Sequence, residues 1–490
     1  MRKRSAAVLA AVTATLCATV LTGAGAGAAV LPASAGARAG TGGGRLTGSP
    51  ALRNALISSV SCASAGNCAA GGSVVGGQAF VVTQRHGTWG KPAGVRGLAH
   101  RETGGVGTIL SVSCGSAGSC SAGGWYIGVH GYTAFIADEK HGAWGSAEQV
   151  PGLARLTGTG GDYIDSVSCT AAGACTAGGV YDEQSSLQEG LDYGLAFVVT
   201  EKHGTWGTAE PVPGLAALND GVALISSLSC GSAGNCAAGG FYNWIKGQGQ
   251  AFVVAETHGT WGTAEPVPGL PNLGPSGIDS VSCGSADTCT AGGSDVNALG
   301  QQSAFLVTET HGIWGTARAV RGLAALNTGG DAGIDSLSCG SAGSCSAGGS
   351  YTGPAGVQAF VVTERHGAWG SAEPVPGLAA LNTGGDAGID SLSCGPAGNC
   401  SAGGSYSGAD GYQAFVVNQN SGTWGSAEQV RGLAALDIGG GAGIHSVSCS
   451  SAGNCSAGGY YSASNYYYPF VVTEKHGTWG TARPLATHRS

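Results

Sequence analysis

Apolar and polar positions recur along this chain in eight copies of one pattern. Each copy opens with I-x-S-V-S-C, passes through C-x-A-G-G to A-F-V-V-T-E, and closes with H-G-x-W-G and A-E-x-V-x-G-L. The alternating first segments predict strands a and b, and the continuous apolar run predicts a strand c that is covered on both faces. The last segment predicts strand d at the outer edge, because prolines such as Pro211 and Pro374 cannot donate to a central sheet ladder.

The repeat length points to one architecture. The first cysteines of successive copies lie 52, 55, 61, 53, 56, 55 and 55 residues apart, close to the length of a four-stranded propeller blade. We therefore predict an all-β fold over residues 55–485: an eight-bladed β-propeller with four antiparallel strands per blade, strand a innermost. One Phe in strand c and one Trp after it recur in every copy, as expected of core residues.

The ends of the chain differ from the repeats. Residues 2–4 are basic, residues 6–21 are mostly apolar, and small residues follow, which is the order of a secretory signal peptide. Cleavage after Ala28 or after Ala35 suits this pattern equally. We predict a signal peptide at 1–35, a spacer at 36–54, a tail at 486–490 and a secreted, extracellular protein.

The cysteines come in pairs. Cys17 lies in the predicted signal, and each repeat holds two cysteines with five residues between them. Across an antiparallel a–b hairpin these partners face each other, and even counts at fixed spacing in an exported protein predict disulfides. The predicted pairs are Cys62–Cys68, Cys114–Cys120, Cys169–Cys175, Cys230–Cys236, Cys283–Cys289, Cys339–Cys345, Cys394–Cys400 and Cys449–Cys455. A zinc site would need shorter spacings or nearby His, so we predict no metal and no cofactor.

Charge narrows the set of partners. Only 10% of residues are charged and the formal net charge is −8, which disfavours nucleic acid and anionic membrane surfaces. No later stretch is apolar enough to span a bilayer. We expect a monomer whose partner is a glycan or protein ligand at the cell exterior.

The segment from Thr200 to Trp206, T-E-K-H-G-T-W, resembles the Asp-box turn of the BNR repeat, and the repeats resemble Cys-paired propeller repeats of exported bacterial proteins. The chain departs from the Asp-box pattern: the Gly-to-Trp interval is shorter, and the Asp is replaced, usually by Lys, Arg or Thr. The resemblance implies a propeller turn between the third and fourth strands. It carries over no catalytic residue and no membership of a sialidase family.

Two repeated sets of polar residues invite a chemical interpretation. Seven of the eight turns after strand c carry His, at positions 86, 141, 203, 258, 311, 366 and 476. Each lies on a separate blade, which disfavours a shared metal ion and leaves them as solvated turn residues. Asp165, Asp279, Asp335 and Asp390, with His445, precede the S-V-S or S-L-S of strand a. They would form either an acidic collar in the central channel, able to hold a cation, or hydrogen bonds at the start of the strand.

Catalysis finds weaker support. A sialidase needs a converging Arg cluster, whereas Arg96, Arg321 and Arg431 share one strand-d position on different blades. Carboxylates do crowd the long loop between Asp182 and Asp192, so a carbohydrate-active, glycoside hydrolase-like enzyme stays open as an alternative. We predict no catalytic residue.

Tyrosine gives the clearest functional signal. Thirteen of the fourteen Tyr, and the two Trp outside the repeated position, fall in the variable segments between strands b and c, which emerge on one face of the disc. Aromatic side chains of this kind suit sugar rings or protein surfaces. The predicted ligand-binding residues are Trp125, Tyr132, Tyr193, Trp244, Tyr412, Tyr466, Tyr467 and Tyr468. The predicted function is a non-enzymatic recognition module; besides the enzyme, a passive envelope or matrix protein is the alternative. Tyr126, Tyr242, Tyr406 and Tyr461 follow A-G-G at a repeated place and can simply end strand b.

Overall fold

A computed structural model describes eight stretches of the chain, and all structural statements below concern them. They are residues 52–98, 105–129, 131–157, 161–182, 194–245, 248–271, 273–395 and 399–485. The predicted signal peptide, most of the predicted spacer and the predicted tail lie outside these residues.

Every repeat folds into one antiparallel blade whose strands follow in the order a, b, c, d from the centre outwards. The a strands are Ala55–Ser64, Gly107–Ser116, Tyr163–Ala171, Val222–Ser232, Ser276–Ser285, Ala332–Ser341, Ala387–Gly395 and Ala442–Ser451. The b strands are Asn67–Val74, Ser119–Gly128, Ala174–Asp182, Asn235–Ile245, Thr288–Val296, Ser344–Gly353, Asn399–Gly408 and Asn454–Ala463. The c strands are Ala79–Arg85, Gly131–Lys140, Gly194–Lys202, Gln248–Thr257, Gln302–Thr310, Gly356–Arg365, Gly411–Asn420 and Tyr466–Lys475. The eight-bladed propeller is confirmed.

Strand d is broken into two short pieces that pair with the same outer edge of strand c. The first pieces hold the repeated Trp: Thr88–Trp89, Ala143–Trp144, Thr205–Trp206, Thr260–Trp261, Ile313–Trp314, Ala368–Trp369, Thr423–Trp424 and Thr478–Trp479. The second pieces are Ala93–Gly94, Glu148–Gln149, Glu210–Pro211, Glu265–Pro266, Arg318–Ala319, Glu373–Pro374, Glu428–Gln429 and Arg483–Pro484. Short helices follow strand d at Leu153–Arg155 (3₁₀) and at Leu215–Leu218, Leu323–Leu326 and Leu378–Leu381 (α). The prolines lie on the outermost edge, as predicted.

Serine side chains join the innermost strands into a closed ring. In each repeat the first Ser of S-x-S accepts a hydrogen bond from a backbone N–H of the next blade's strand a at 2.8–3.0 Å, and the second Ser does the same two residues later. Ser446 and Ser448 of blade 8 bind Val60 and Cys62 of blade 1 in this way. The ring therefore closes between blades 8 and 1 by the same serine contacts that join all the other neighbouring blades.

The His-Gly turns between strands c and d have a local cause. In blade 1 the paired residues Arg85 and Thr88 leave a two-residue loop, in which His86 has φ 47° and Gly87 has φ 79°. Two consecutive positive φ angles define the type I′ hairpin, which favours Gly second and tolerates few residues first. The repeated His is thus placed by turn geometry, and Ser421 takes the same conformation in blade 7.

The apolar side chains pack between blades rather than within one. Ala79 and Val81 of blade 1, for example, share a core cluster with Ile109, Tyr126 and Phe135 of blade 2. Each of the eight repeated Phe is at most 1% exposed, and the predicted core role of the strand-c Phe is confirmed. Since each blade supplies half of two such cores, no blade can bury its apolar surface alone.

All eight predicted disulfides are present, and each joins directly opposed residues of strands a and b with a Cα–Cα distance of 3.9–4.0 Å. Disulfides in this number are typical of proteins from oxidising compartments.

Candidate functional site

The face formed by the b–c loops and the d–a connections, here the b–c face, is the candidate binding surface. Six large apolar side chains are strongly exposed in the described part of the chain, and five of them lie on this face: Val75, Val129, Leu273, Leu299 and Ile438. The sixth, Ile313, lies in a His-Gly turn on the opposite face. These five side chains come from several different blades, and what they share is the face on which they are exposed.

Buried polar residues hold the d–a connections of this face in place. Asn382 accepts the N–H of Asp386 at 2.8 Å and donates to the carbonyl of Val357 at 3.0 Å. Asp437 takes the same place before blade 8, where it accepts from Gly441 at 3.0 Å. These side chains tie the connections after blades 6 and 7 to the start of strand c of the preceding blade, through Val357 and Gln413, which supports this part of the face.

The structure divides the tyrosines of the b–c segments into two classes. Tyr126, Tyr181, Tyr242, Tyr351, Tyr406 and Tyr461 end strand b and are 1–7% exposed. They pack in the cores between blades, where Tyr126, Tyr351 and Tyr406 each lie 6.4 Å from a strand-c Phe. The interpretation of the Tyr after A-G-G as the end of strand b is confirmed, and it accounts for about half of the tyrosine signal.

Blade 2 presents one partly exposed aromatic pair. Trp125 on strand b and Tyr132 on strand c meet edge to face with ring centroids 4.7 Å apart. Strands b and c are paired here (Ile127 opposite Tyr132), so the two rings lie on the same side of the blade near its b–c end. Burial raises the pKa of Tyr132, which keeps its hydroxyl neutral and able to both donate and accept.

Tyr466, Tyr467 and Tyr468 require a correction. The sequence predicts these residues in an extended segment between strands b and c, but they form the first three positions of strand c of blade 8. Side chains alternate along a strand, so Tyr468 turns into the core, where it is 4% exposed and stacks on Tyr461 at 5.6 Å. Tyr468 is therefore a core residue and leaves the set of surface contacts.

The other two rings of this run remain partly exposed. Tyr466 lies under the guanidinium of Arg53, whose Cζ is 4.4 Å from the ring centroid. Tyr467 meets Tyr460 edge to face at 5.2 Å. The side chains of two further predicted residues are not described. Tyr193 lies outside the described residues, and only the backbone of Trp244, in strand b of blade 4, is described.

Aromatic and carboxyl groups meet where blades 7 and 8 border the channel. This channel-mouth cluster comprises Tyr412, Asp386 and Asp390 of blade 7 with its preceding connection, and His445, Tyr460 and Tyr467 of blade 8. Tyr412 donates its hydroxyl to Asp386 Oδ2. The ring of Tyr460 lies 5.0 Å from that of His445, whose Nδ1 is 3.2 Å from the carbonyl oxygen of Ile57.

The enclosure of this cluster changes its protonation. Burial, and then the nearby Asp386, raises the pKa of Asp390 to about 7. Burial followed by the charges of Asp390 and Tyr467 raises the pKa of Tyr460. Burial lowers the pKa of His445. Near neutral pH the cluster therefore includes a partly protonated carboxyl, a neutral imidazole and a neutral phenol beside aromatic rings, and these groups can both donate to and accept from a polar ligand.

The other Asp residues of the predicted collar line the same channel on separate blades. Burial raises the pKa of Asp165, Asp279 and Asp335 well above the usual range, and Asp335 is raised further by Asp279 and Asp390. Among the residues that the structure describes, no three His, Cys, Asp or Glu side chains converge closely enough to hold a metal ion. Of the carboxylates in the long loop of blade 3, only Asp182 is described.

Comparison of the sequence with known proteins does not assign the chain to a family. No protein-family model and no curated protein matches the chain. In the part of the chain that the structure describes, no helix is long and apolar enough to cross a membrane.

Several solved structures resemble this one in backbone fold. A polysaccharide lyase of family PL25, an ulvan lyase, has a TM-score of 0.43 at 11% identity over 86% of this chain and 95% of its own. YCF48 from Cyanidioschyzon merolae has a TM-score of 0.40 at 15% identity over 77% and 96%. The fucose-specific lectin from Aleuria aurantia has a TM-score of 0.33 at 12% identity over 66% and 95%. The fold assignment itself rests on the strand order and on the closed ring of blades described above.

Proposed function

We propose that the protein is a secreted, non-enzymatic recognition module that binds a glycan or protein ligand through the b–c face. The observation that carries this proposal is the coincidence on one face of partly exposed aromatic rings and of nearly all strongly exposed apolar side chains. Trp125, Tyr132, Tyr412, Tyr466 and Tyr467 supply the rings. Such residues give a large contact area at low entropic cost, and their hydroxyl and indole groups can bind sugar hydroxyls or peptide groups.

The support of these rings by neighbouring side chains favours binding by a preformed surface. The rings stand on strand ends and are held by neighbours: Trp125 by Tyr132, and Tyr467 by Tyr460. Little side-chain freedom is left to lose when a ligand binds, which lowers the cost of association.

A screen of the purified protein against glycans and cell-wall polymers tests the proposal, followed by variants of the two aromatic groups. We expect Trp125→Ala combined with Tyr132→Ala, or Tyr467→Ala alone, to weaken binding of the ligand found by at least about tenfold, or about 1.4 kcal/mol. Tyr468 is left intact because its ring belongs to the core.

The control is Ile313→Ala, which removes a strongly exposed apolar side chain from the opposite face. It should bind as the parent does. Unchanged affinity in both aromatic variants, with folding intact, would rule out this face as the site. Turnover of a labelled polysaccharide would instead support the enzyme alternative, and the absence of any saturable ligand would favour a passive matrix protein.

A further inference from the structure

The opposite face, formed by the a–b turns and the His-Gly turns, has a different electrostatic character. We call it the turn face. In four consecutive blades the last residue of strand c is a cation that is exposed on this face: Lys475 of blade 8, Arg85 of blade 1, Lys140 of blade 2 and Lys202 of blade 3. These four residues form the basic arc. Of the other four blades, only blade 6 has a cation at this position, Arg365.

Each cation of the basic arc leans towards the next blade. Lys140 Nζ donates to the carbonyl of Gly204 at 3.0 Å, and Arg85 donates to the carbonyl of Gly142. The His of each adjoining turn is exposed beside them: His476, His86, His141, His203 and His258. The four cations are therefore held in a row across four consecutive blades, with exposed His side chains beside them.

Few negative charges oppose this row at the surface. Asp287 of blade 5 is the one carboxylate in the a–b and His-Gly turns that the structure describes. Carboxyls do lie beneath the arc: Glu139 is 3.9 Å from Arg85, Asp138 is 3.8 Å from Lys140, and Glu201 and Glu256 interact with Lys140 and Lys202. Arg85 and Lys140 nevertheless keep 59% and 55% of their side-chain surface exposed. The turn face thus presents positive charge although the whole chain carries −8.

A groove of about 390 Å³ opens at the end of the arc, between blades 3 and 4. Its walls are the small residues of two a–b turns, including Ala172, Gly173, Ala233 and Gly234, and Lys202, His203 and His258 also line it. Glu201, which is 3% exposed, lines the groove as well, and its Oε2 has no hydrogen-bond partner. A buried acceptor without a partner is costly, so the groove favours a ligand group that binds it.

Glu201 shares its unpartnered oxygen with Glu139 and Glu256 of the two neighbouring blades, whereas the residues at this position in blades 8, 1 and 7 have partners. Glu474 has partners in Ser401 and Asn418, and Gln84 and Gln419 donate to Thr473 and Thr363. Beside Glu201 stands Asp138, where most other blades have Thr or Asn. Burial, and then the charge of Asp138, raises the pKa of Glu201 to about 7. The carboxyl is therefore partly protonated near neutral pH and can both donate to and accept from a hydroxyl group.

We propose that the turn face binds an anionic glycan of uronate sugars, which follows the basic arc and seats one sugar in the groove between blades 3 and 4. Its carboxylates would pair with Lys475, Arg85, Lys140 and Lys202, as opposite charges do on a solvated surface. Its hydroxyl groups would meet Glu201. A carboxyl lining the groove suits a hydroxylated sugar and opposes phosphate, which favours a glycan over nucleic acid. This site is separate from the b–c face and does not depend on the function proposed for it.

Binding of polygalacturonate by the full chain tests the proposal, with neutral dextran as the uncharged control probe. We expect saturable binding of polygalacturonate at low ionic strength, a loss of at least tenfold at 0.5 M salt, and none to dextran. The variant Arg85→Gln, Lys140→Gln and Lys202→Gln should lose at least tenfold in affinity.

The matched control is Lys91→Gln, Arg318→Gln and Arg483→Gln, which removes the same charge from the outer strand d. It should change affinity less than twofold. Arg365→Gln is a second control outside the arc, where Arg365 donates a hydrogen bond to the carbonyl of Gly422 in the next blade. Losing this bond tests whether such substitutions affect folding rather than ligand binding. Equal losses in the arc and control variants, or no binding at low salt, would overturn the proposal. Tighter binding of duplex DNA than of polygalacturonate would overturn the assignment to a glycan.

The groove is tested separately with short galacturonate oligomers. Ala233→Trp fills the groove from an exposed turn position and should weaken their binding at least fivefold. Ala342→Trp places the same side chain at the corresponding turn of blade 6, away from the arc, and should have no effect. If both variants bind the oligomers equally well, the groove takes no part. Variants of the b–c face should leave these results unchanged, so the two proposals can fail independently.

Discussion

At the residue scale, the chain repeatedly places a polar side chain where its partner lies on the next blade. The Trp of strand d shows this well. Trp144 Nε1 donates to Thr83 at 3.0 Å, and Trp479 Nε1 donates to Asn418 at 2.8 Å. Both acceptors occupy the same strand-c position of the preceding blade, where blade 4 has Ala255 instead. Trp314, which faces that blade, has no acceptor for its Nε1, and the same is true of Trp261 and Trp369, although Thr200 and Thr308 occupy this position in the blades before them.

Glu201→Gln should stabilise the protein in a pH-dependent way. Its carboxyl pKa rises from about 4.5 to about 7 on folding, so the folded state binds more protons and stability falls as pH rises through this window. Gln, which occupies the same position in blades 1 and 7, does not titrate. We expect little difference from the parent at pH 4 and a higher free energy of unfolding at pH 8, by up to about 3 kcal/mol at about 1.4 kcal/mol per pKa unit.

Denaturant unfolding at pH 4, 6 and 8 measures this difference. Glu364→Gln is the matched comparison, since that carboxyl is also buried but has no acidic neighbour at the position of Asp138. If the free energy of unfolding of Glu201→Gln differs from that of the parent by the same amount at pH 4 and pH 8, the carboxyl does not have the raised pKa proposed for it.

At the scale of the strand, the A-G-G segment of strand b is fixed by the strand beside it. Strand a carries a bulge after its Ile, seen in blade 2 as a register shift between Ile109 and Ser111. The bulge brings the carbonyl oxygen of Thr108 so close to Gly124 that a Cβ there would lie 2.0 Å from it. The second Gly of A-G-G is therefore required by a backbone contact and not by flexibility.

Gly124→Ala should destabilise blade 2 by about 3 kcal/mol or more, because neither the carbonyl nor the bulge can move without breaking the a–b ladder. Gly277→Ala, in strand a of blade 5, is the control, since nothing lies within 4 Å of the added Cβ. Gly277→Ala should lower the free energy of unfolding by less than about 1 kcal/mol. Thermal unfolding of the two variants decides the matter: similar losses in both would mean that glycine acts through chain entropy rather than through this contact.

In the molecule as a whole, the eight blade interfaces share the same serine bonds, and one of them joins the two ends of the described chain. The interface between blades 3 and 4 adds a parallel pairing of Gly194 with Val222. Leu52 and Leu485 both pack in the core cluster at this seam. Blade 8 has its own strand d, and among residues 52–485 no further strand pairs with it. The serine bonds are the same at the seam as elsewhere, so the seam should not be a weak point.

Ser446→Ala, at the seam, and Ser227→Ala, between blades 4 and 5, should therefore lower the free energy of unfolding by the same amount. Each leaves one buried N–H without its acceptor, of Val60 and of Val281 respectively, which costs about 1–3 kcal/mol. Equilibrium unfolding of both variants tests the equivalence. A seam variant that loses clearly more, or that unfolds in a separate early step, would show that the ring opens there first.

The features of this fold that depend on residues close together along the chain could be predicted from the sequence. Alternation, the apolar run, the prolines and the cysteine spacing were enough to predict eight blades, the strand order and every disulfide, because each of these depends on residues a few positions apart. The type I′ geometry of the His-Gly turns is equally local.

Contacts between residues about 55 positions apart could not be predicted, because they form only when adjacent blades pack together. The S-x-S serines look like ordinary strand residues until the next blade brings a backbone N–H to each. Tyr468 and Tyr467 are adjacent in sequence, yet packing between blades buries one and leaves the other at the channel mouth. Lys475 and Arg85 stand at opposite ends of the repeat array, and they become neighbours in one basic arc only because the ring closes.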